Sequence, residues 1–321
     1  MNRRVLLASA LSLLALAGVA HAQSYPSKPI ALVVPYPAGG TADVVGRILA
    51  ERLRESLGQP VIIENRSGAA GSIGTTLVAR ARADGYTLLM ASQSHTANPS
   101  LYANLPWDPV KGFAPIILVG VIPNVLTVHK SSPVKTLKEF VTYAKSRDGQ
   151  LNYSSGGAGS SLHLTGEMLK QAAGINLTHI PYKDEADGFS ALRSGDVAIS
   201  PFGVAKVKPW VDSGELRPLA VSTPKRSRML PDVPTAAEAG FPDIEVKPWY
   251  AFLAPAGTPA AVVSKLNAAI AAALKSPEVD SKLQGMGVEL EPGSPEDLRS
   301  FLQSDAARWS KLIKQAGIRL E

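Results

Sequence analysis

Two glycine- and hydroxyl-rich segments carry the residue types that hold an anion. Tyr36-Pro37-Ala38-Gly39-Gly40-Thr41-Ala42-Asp43 follows one apolar run. Asn152-Tyr153-Ser154-Ser155-Gly156-Gly157-Ala158-Gly159-Ser160-Ser161 follows another, and each opens a helical stretch. A helix start leaves backbone N–H groups unpaired and carries the positive end of the helix dipole. Glycines such as Gly39, Gly40, Gly157 and Gly159 let the backbone approach closely, and Thr41, Ser154, Ser155, Ser160 and Ser161 add hydroxyl donors. Either segment alone also reads as an ordinary turn, with Thr41 and Ser160 as N-caps and Asp43 as a first-turn acid. One in each half of the chain favours a shared site that grips one carboxylate.

A third segment, Ala91-Ser92-Gln93-Ser94-His95-Thr96-Ala97-Asn98, reads as a loop whose hydroxyls, on Ser92 and Ser94, reach the same cleft. His95 and His163 are the histidines nearest that place. A lone histidine more often packs or hydrogen-bonds than catalyses, and no two histidines stand at i, i+4, so no metal site is expected. Neither glycine loop has the G-x-G-x-x-G spacing, and no phosphate-binding P-loop pattern occurs, so nucleotide cofactors are not expected. The enzyme lead is Ala70-Gly71-Ser72-Ile73-Gly74, a near miss to the nucleophile elbow, which keeps a serine hydrolase using Ser72 as the alternative. The long stretch before it, 64–71, argues against a sharp elbow.

These segments need strands and helices to position them. Residues 30–34 read as a buried strand, 41–57 as a helix, 61–63 as a strand, 72–83 as a helix and 86–90 as a strand. That alternation is the α/β signature and predicts a parallel sheet covered on both faces. A second series begins after Pro123. Strands are expected at 125–128, 151–153, 177–180, 197–199 and 216–221, with helices at 137–145 and 162–173. Residues 246–254 read as extended, and 260–274, 277–286 and 295–316 as helices that return to cover the first unit. The expected organisation is a leader at 1–22, a discontinuous domain I of 23–123 plus 246–321, and a domain II of 124–245. A ligand cleft would lie between the domains.

Composition narrows the function. The 321 residues are 45% hydrophobic and 19% charged, which is globular. The absence of cysteine excludes disulfides, thiolate metal sites, a cysteine nucleophile and a lipid anchor on an N-terminal cysteine. Arg3 and Arg4, an apolar run to residue 20 and Ala20-His21-Ala22 have the layout of a secretory signal, cleaved after Ala22; an uncleaved anchor is the other reading. Cleavage removes two arginines and no acid, which lowers the formal charge from +6 to +4. With 6% aromatics and one short basic run, Lys225-Arg226-Ser227-Arg228, nucleic-acid binding is not expected. A mild positive field suits small anions.

In these segments the sequence resembles the Bug (TctC-like) family, the substrate-binding receptors of tripartite tricarboxylate transporters. The motifs are Val34-Pro35 with the first glycine loop, Gly58-Gln59-Pro60-Val61-Ile62-Ile63-Glu64-Asn65-Arg66 and Asp84-Gly85-Tyr86-Thr87-Leu88-Leu89. Further along come Asn152-Tyr153-Ser154-Ser155-Gly156, His179-Ile180-Pro181-Tyr182-Lys183, Leu230-Pro231-Asp232-Val233-Pro234-Thr235 and Phe252-Leu253-Ala254-Pro255-Ala256-Gly257-Thr258-Pro259. The resemblance implies a two-domain type II periplasmic-binding-protein fold, the Venus flytrap. It also implies a non-enzymatic, monomeric periplasmic receptor that passes a small organic carboxylate to the transporter's membrane subunits. A ligand sensor for a two-component system is the other role such a receptor fills.

By resemblance, the carboxylate clamp falls on Ala38, Gly39, Thr41 and Asp43 and on Ser154, Ser155, Gly159, Ser160 and Ser161. Tyr36, Gly40, Gly157, His163 and Tyr182 are also expected to bind the ligand. Asp43, an acid beside an anion, is expected to accept a backbone or water hydrogen bond and orient its loop. Two stretches depart from the family pattern: Asp184-Glu185-Ala186-Asp187 and Ser200-Pro201-Phe202-Gly203. Asp184 or Glu185 would pair with a ligand ammonium and Phe202 would pack on an apolar ligand; a solvated helix start and ordinary core packing are the other readings.

Overall fold

Ile30-Ala31-Leu32-Val33-Val34 forms a strand because four of its five side chains are apolar and fully buried, on both faces of a sheet. In the computed structural model, which describes residues 25–102, 104–157, 159–182 and 185–318, this is β1 (Ile30–Val34). The leader with its cleavage point and Asp184 lie outside the described residues. The first body continues with α1 (Thr41–Leu57), β2 (Val61–Asn65), α2 (Ser72–Ala79), β3 (Thr87–Ser92), α3 (Ser94–Leu101) and β4 (Phe113–Val121). The chain then crosses into β5 (Asn124–His129), α4 (Leu137–Ser146), β6 (Asn152–Ser155), α5 (Ser161–Ala173) and β7 (Thr178–Pro181). α6 (Glu185–Ser194), β8 (Ser200–Gly203), α7 (Val204–Asp212) and β9 (Leu216–Val221) complete that second body. β10 (Trp249–Pro255) returns, followed by α8 (Ala260–Leu274), α9 (Pro277–Gly285), β11 (Glu289–Leu290) and α10 (Pro295–Ala316).

The first body holds a six-stranded sheet in the order β11-β4-β10-β3-β1-β2. Ile30, Leu32 and Val34 join a core with Val45, Leu49 and Leu53 of α1 and Leu266 and Ile270 of α8. Val33 faces the other layer, with Val78 of α2 and Leu298 and Leu302 of α10. The sheet is parallel only across β2, β1 and β3; β10 is antiparallel to both β3 and β4. This corrects the expected all-parallel sheet. The chain leaves the body along β4 and returns along its neighbour β10, so the two must run in opposite directions.

The second body pairs a three-stranded antiparallel sheet, β8-β5-β9, with the parallel pair β6-β7, and a bridge from Tyr153 to Ile199 links them. Four local readings are corrected. β4, α3, α7 and β11 were not anticipated, α6 begins at Glu185, where a helix start was one of the readings, and the segment read as a third loop enters α3 at Ser94. α2 stops at Ala79, and the strand expected at 197–199 lies at Ser200–Gly203, where Pro201 and Phe202 pair with β5. At the crossings Ile122 N–H donates to the Pro248 carbonyl (2.8 Å) and Val246 N–H to the Ser222 carbonyl (2.9 Å).

Candidate anion-binding cleft

The helices α1, α3, α5 and α7 each begin where a strand ends, and their first residues line two adjoining chambers between the bodies. The larger, about 290 Å3, takes Tyr36, Ala70, Ser92, Gln93 and Ser94 from the first body and Gly156, Gly159, Ser160 and Ser161 from the second. Pro248, Trp249 and Tyr250 close it from the returning crossing. No charged side chain lines it among the described residues. The smaller, about 100 Å3, shares Ser161, Pro248 and Tyr250 and adds Thr41, Gly203 and Lys206. α1, α3 and α7 carry no side-chain cap, so their first-turn N–H groups are not consumed by a local hydroxyl. A cavity of about 610 Å3 in the second body, lined by Lys135, Lys208 and Leu230 among others, includes none of these loops.

In the first loop, Tyr36 reaches across to the hydroxyls of both Ser92 and Ser94. Ala38, Gly39 and Gly40 are exposed at the rim, and Thr41 faces the smaller chamber. Gly39 has φ +81°, which an L side chain tolerates poorly. Its N–H donates to Asp43 Oδ2 (2.9 Å), which also accepts from Arg47 Nε (2.9 Å), while Asp43 Oδ1 accepts from Asn65 Nδ2 (2.9 Å). The Arg47 hydrogen bond, helped by the Gly39 N–H, holds the Asp43 carboxyl down to about 2. Asp43 is buried and occupied, so it shapes the loop rather than facing an anion.

The second loop stands on a column of rings. Gly159 N–H donates to His163 Nδ1 (3.0 Å), and Ser160 caps α5 by accepting from His163 N–H (3.2 Å). The His163 ring stacks on His179 at 4.0 Å, and His179 on Tyr153 at 5.0 Å. Tyr153 OH donates to Glu167 Oε1 (2.7 Å), which Lys170 also contacts (2.8 Å). Burial, with the neighbouring His179, pushes the His163 imidazole down to about 4, so it is neutral and its Nδ1 is free to accept. Ser155 bonds His179 Nε2 (2.6 Å), and Ser154 bonds Ser200 (2.5 Å) with no exposure at all. Ser154, Ser155 and His163 therefore support the loop from behind, while Gly159, Ser160 and Ser161 face the cavity. Gly157, at φ +106°, donates to Ser155 Oγ (3.2 Å) and turns the loop.

The distal candidates separate. Phe202 is buried in the second body's core against Phe189, which corrects its placement at the ligand. Tyr182 packs partly on the same core, its N–H bound to the Ser155 carbonyl, and lines neither chamber. His95 stacks on Trp107, abuts Phe113 and bonds the Pro109 carbonyl through Nε2 (2.8 Å), the setting of a packing histidine. The Ser72 hydroxyl accepts from Asn98 Nδ2 (3.0 Å), an amide that cannot take a proton, so this pairing does not activate a nucleophile. Sequence reasoning passed over Ala70, Gly156, the Pro248–Tyr250 wall and Gln93. For Gln93 the available signal was its place between two serines at a strand end.

Two bodies joined by two crossings, with a cleft between them ringed by helix starts, define a solute-binding receptor of the flytrap class. Residues 45–318 match the family described as tripartite tricarboxylate transporter family receptor, TctC. The chain belongs to that family. It is 36% identical to the periplasmic binding protein BugD, over 92% of this chain and 100% of that one, with a TM-score of 0.76. R. palustris Rpa4515, solved with adipate, is 39% identical over 92% of this chain and 100% of its own (TM-score 0.78). MatC from Rhodopseudomonas palustris, solved with bound malate, is 32% identical over 90% of this chain and 100% of its own (TM-score 0.75). Family and fold together make this chain a solute-binding receptor of the periplasmic class.

Proposed function

We propose that the chain captures a small organic carboxylate between its two bodies and delivers it to the membrane subunits of a tripartite tricarboxylate transporter. The observation that carries this reading is the 290 Å3 chamber, whose walls are hydroxyls, backbone, an amide and aromatic surface with no fixed charge among the described residues. An anion entering it meets helix N-termini and neutral donors in a partly desolvated space, where charge-assisted hydrogen bonds are strong. Gly159, Ser160 and Ser161 would contact the carboxylate from one body, Tyr36, Ser92, Ser94 and Thr41 from the other. Asp43, Ser154, Ser155 and His163 would hold those contacts in place.

The bodies act as domains, 23–123 with 246–321 and 124–245, that close about the crossings at Pro123 and Val246 like a hinge. The adipate and malate of the two R. palustris relatives point to linear dicarboxylates for this chain also. The leader directs export, and the mature chain begins at Gln23.

The test is a thermal-shift panel on the mature protein with C4–C6 dicarboxylates, citrate, acidic amino acids and aromatic carboxylates. A ligand that binds only the folded state at a hundredfold excess over its Kd adds about 2.7 kcal/mol, which is several degrees in Tm. A shift with dicarboxylates that disappears when Ser161 is changed to a bulky residue supports the cleft. No shift with any member of the panel would reject the carboxylate reading.

A further inference from the structure

Gln93 is a buried polar side chain at this cleft whose amide has no hydrogen-bond partner among the described residues. It borders the larger chamber and is 5% exposed, and neither its Nε2 nor its Oε1 has a hydrogen-bond partner among the described residues. Buried side-chain amides are ordinarily satisfied, and an orphaned pair calls for an explanation. The main chain of Gln93 is fixed: its carbonyl accepts from Thr96 N–H (3.2 Å) and Ala97 N–H (3.2 Å). The flanking hydroxyls of Ser92 and Ser94 are engaged by Tyr36. The amide is therefore a buried, unpaired group on the residue that borders the chamber at this wall.

We propose that Gln93 determines specificity by reading a 2-hydroxycarboxylate end of the ligand, an inference that rests on the carboxylate reading above. An ionised carboxylate only accepts hydrogen bonds. It would satisfy the Nε2 donors and leave Oε1 unmet beside a like-charged oxygen. A 2-hydroxy acid answers both atoms: a carboxylate oxygen accepts from Nε2 while the adjacent hydroxyl donates to Oε1. An ammonium in place of the hydroxyl would enter a chamber lined by no acidic side chain among the described residues, which include neither Asp184 nor the Glu185 side chain, and Asp43 is spent on Gly39, Arg47 and Asn65. A site built to pair a ligand hydroxyl rejects the analogue that lacks it, because its own polar group is then stranded.

The experiment is calorimetric titration of the mature receptor with two matched pairs, malate against succinate and 2-hydroxyadipate against adipate. The wild-type protein should prefer the hydroxy acid of at least one pair by about tenfold or more in Kd. Gln93→Met, of similar shape and without the amide, should bring the ratio close to one. Gln93→Glu, which keeps the shape and adds a charge, should weaken all four acids and serves if Gln93→Met folds poorly. Equal binding of both members of each pair by the wild type would overturn the inference and leave the carboxylate receptor standing, as would a hydroxy-acid preference that survives in Gln93→Met. Failure of all four acids to bind would remove this inference, and the wider carboxylate panel would then decide the carboxylate reading.

Discussion

Asp43 is an acid placed where an anion is expected, and its hydrogen bonds resolve the conflict. Gly39, Arg47 and Asn65 together occupy both carboxylate oxygens, so its charge is neutralised inside the first body and its work is to fix the Gly39 turn. Its place in the loop was legible in sequence because its loop partner is only four positions away. Gln93 was not legible, since what distinguishes it is the absence of partners, a property of the assembled wall. His163 yields a prediction at the same scale. Its imidazole, held down to about 4 against an ordinary value near 6.5, must stay neutral for Nδ1 to accept from Gly159. The folded state thus binds fewer protons than the unfolded chain between those values. The stability it contributes is complete above about pH 6.5 and is lost as the pH falls toward 4, to a limit of about 3 kcal/mol. The groups facing it are His179, Glu167 and Lys170. Tm should fall over that window, and His163→Gln should flatten part of the fall, the buried His95 and His179, both also pushed down by burial, adding to the rest. Identical pH profiles for the two proteins would show that His163 is not a source of the loss.

Among the elements, those with strong local patterns were readable and those set by topology were not. α1, α8 and α10 have the apolar spacing and the Gly or Pro punctuation that mark helix limits. β4 was missed because Pro115 interrupts its apolar run; the structure accommodates it at a register shift against β10. α3 was missed because Ser94-His95-Thr96-Ala97-Asn98-Pro99 has weak helix formers and a proline, and its packing against α10 overrides that propensity. The packing of α5 onto β6 gives the second prediction. A Cβ on Gly166 would stand 2.1 Å from Tyr153 Cε2, and the ring cannot retreat because it is fully buried, bonded to Glu167 and stacked on His179. Gly166→Ala should destabilise the protein by about 1–3 kcal/mol in urea unfolding and weaken ligand binding through the displaced ring column. Gly285→Ala, where a Cβ meets nothing, should be neutral or gain up to about 1 kcal/mol. Equal stability of the two variants would contradict the close-contact argument.

At the scale of the whole molecule, the alternation of strands and helices in two series made the two bodies readable. The sequence could not show how the C-terminal helix holds the cleft. Asp305 of α10 is buried and accepts from Thr96 Oγ1 of α3 (2.6 Å), Trp249 Nε1 of β10 (2.9 Å) and Arg308 Nη2 (2.7 Å). Arg308 in turn donates to the Glu245 carbonyl and carboxylate, beside the crossing back from the second body. One carboxylate, more than two hundred residues from α3 in sequence, therefore ties together the helix that starts at Gln93, the tryptophan wall of the chamber and the root of the hinge. Asp305→Ala leaves two buried donors and an arginine without their acceptor and should cost about 3 kcal/mol of stability. Asp305→Asn keeps the shape and the acceptor toward Trp249 but not the charge toward Arg308, and should cost clearly less. Because Trp249 and the start of α3 line the chamber, affinity for the best ligand should fall in the same order as stability across the two variants. Loss of stability in Asp305→Ala with unchanged affinity would show that the network supports the fold without holding the binding wall.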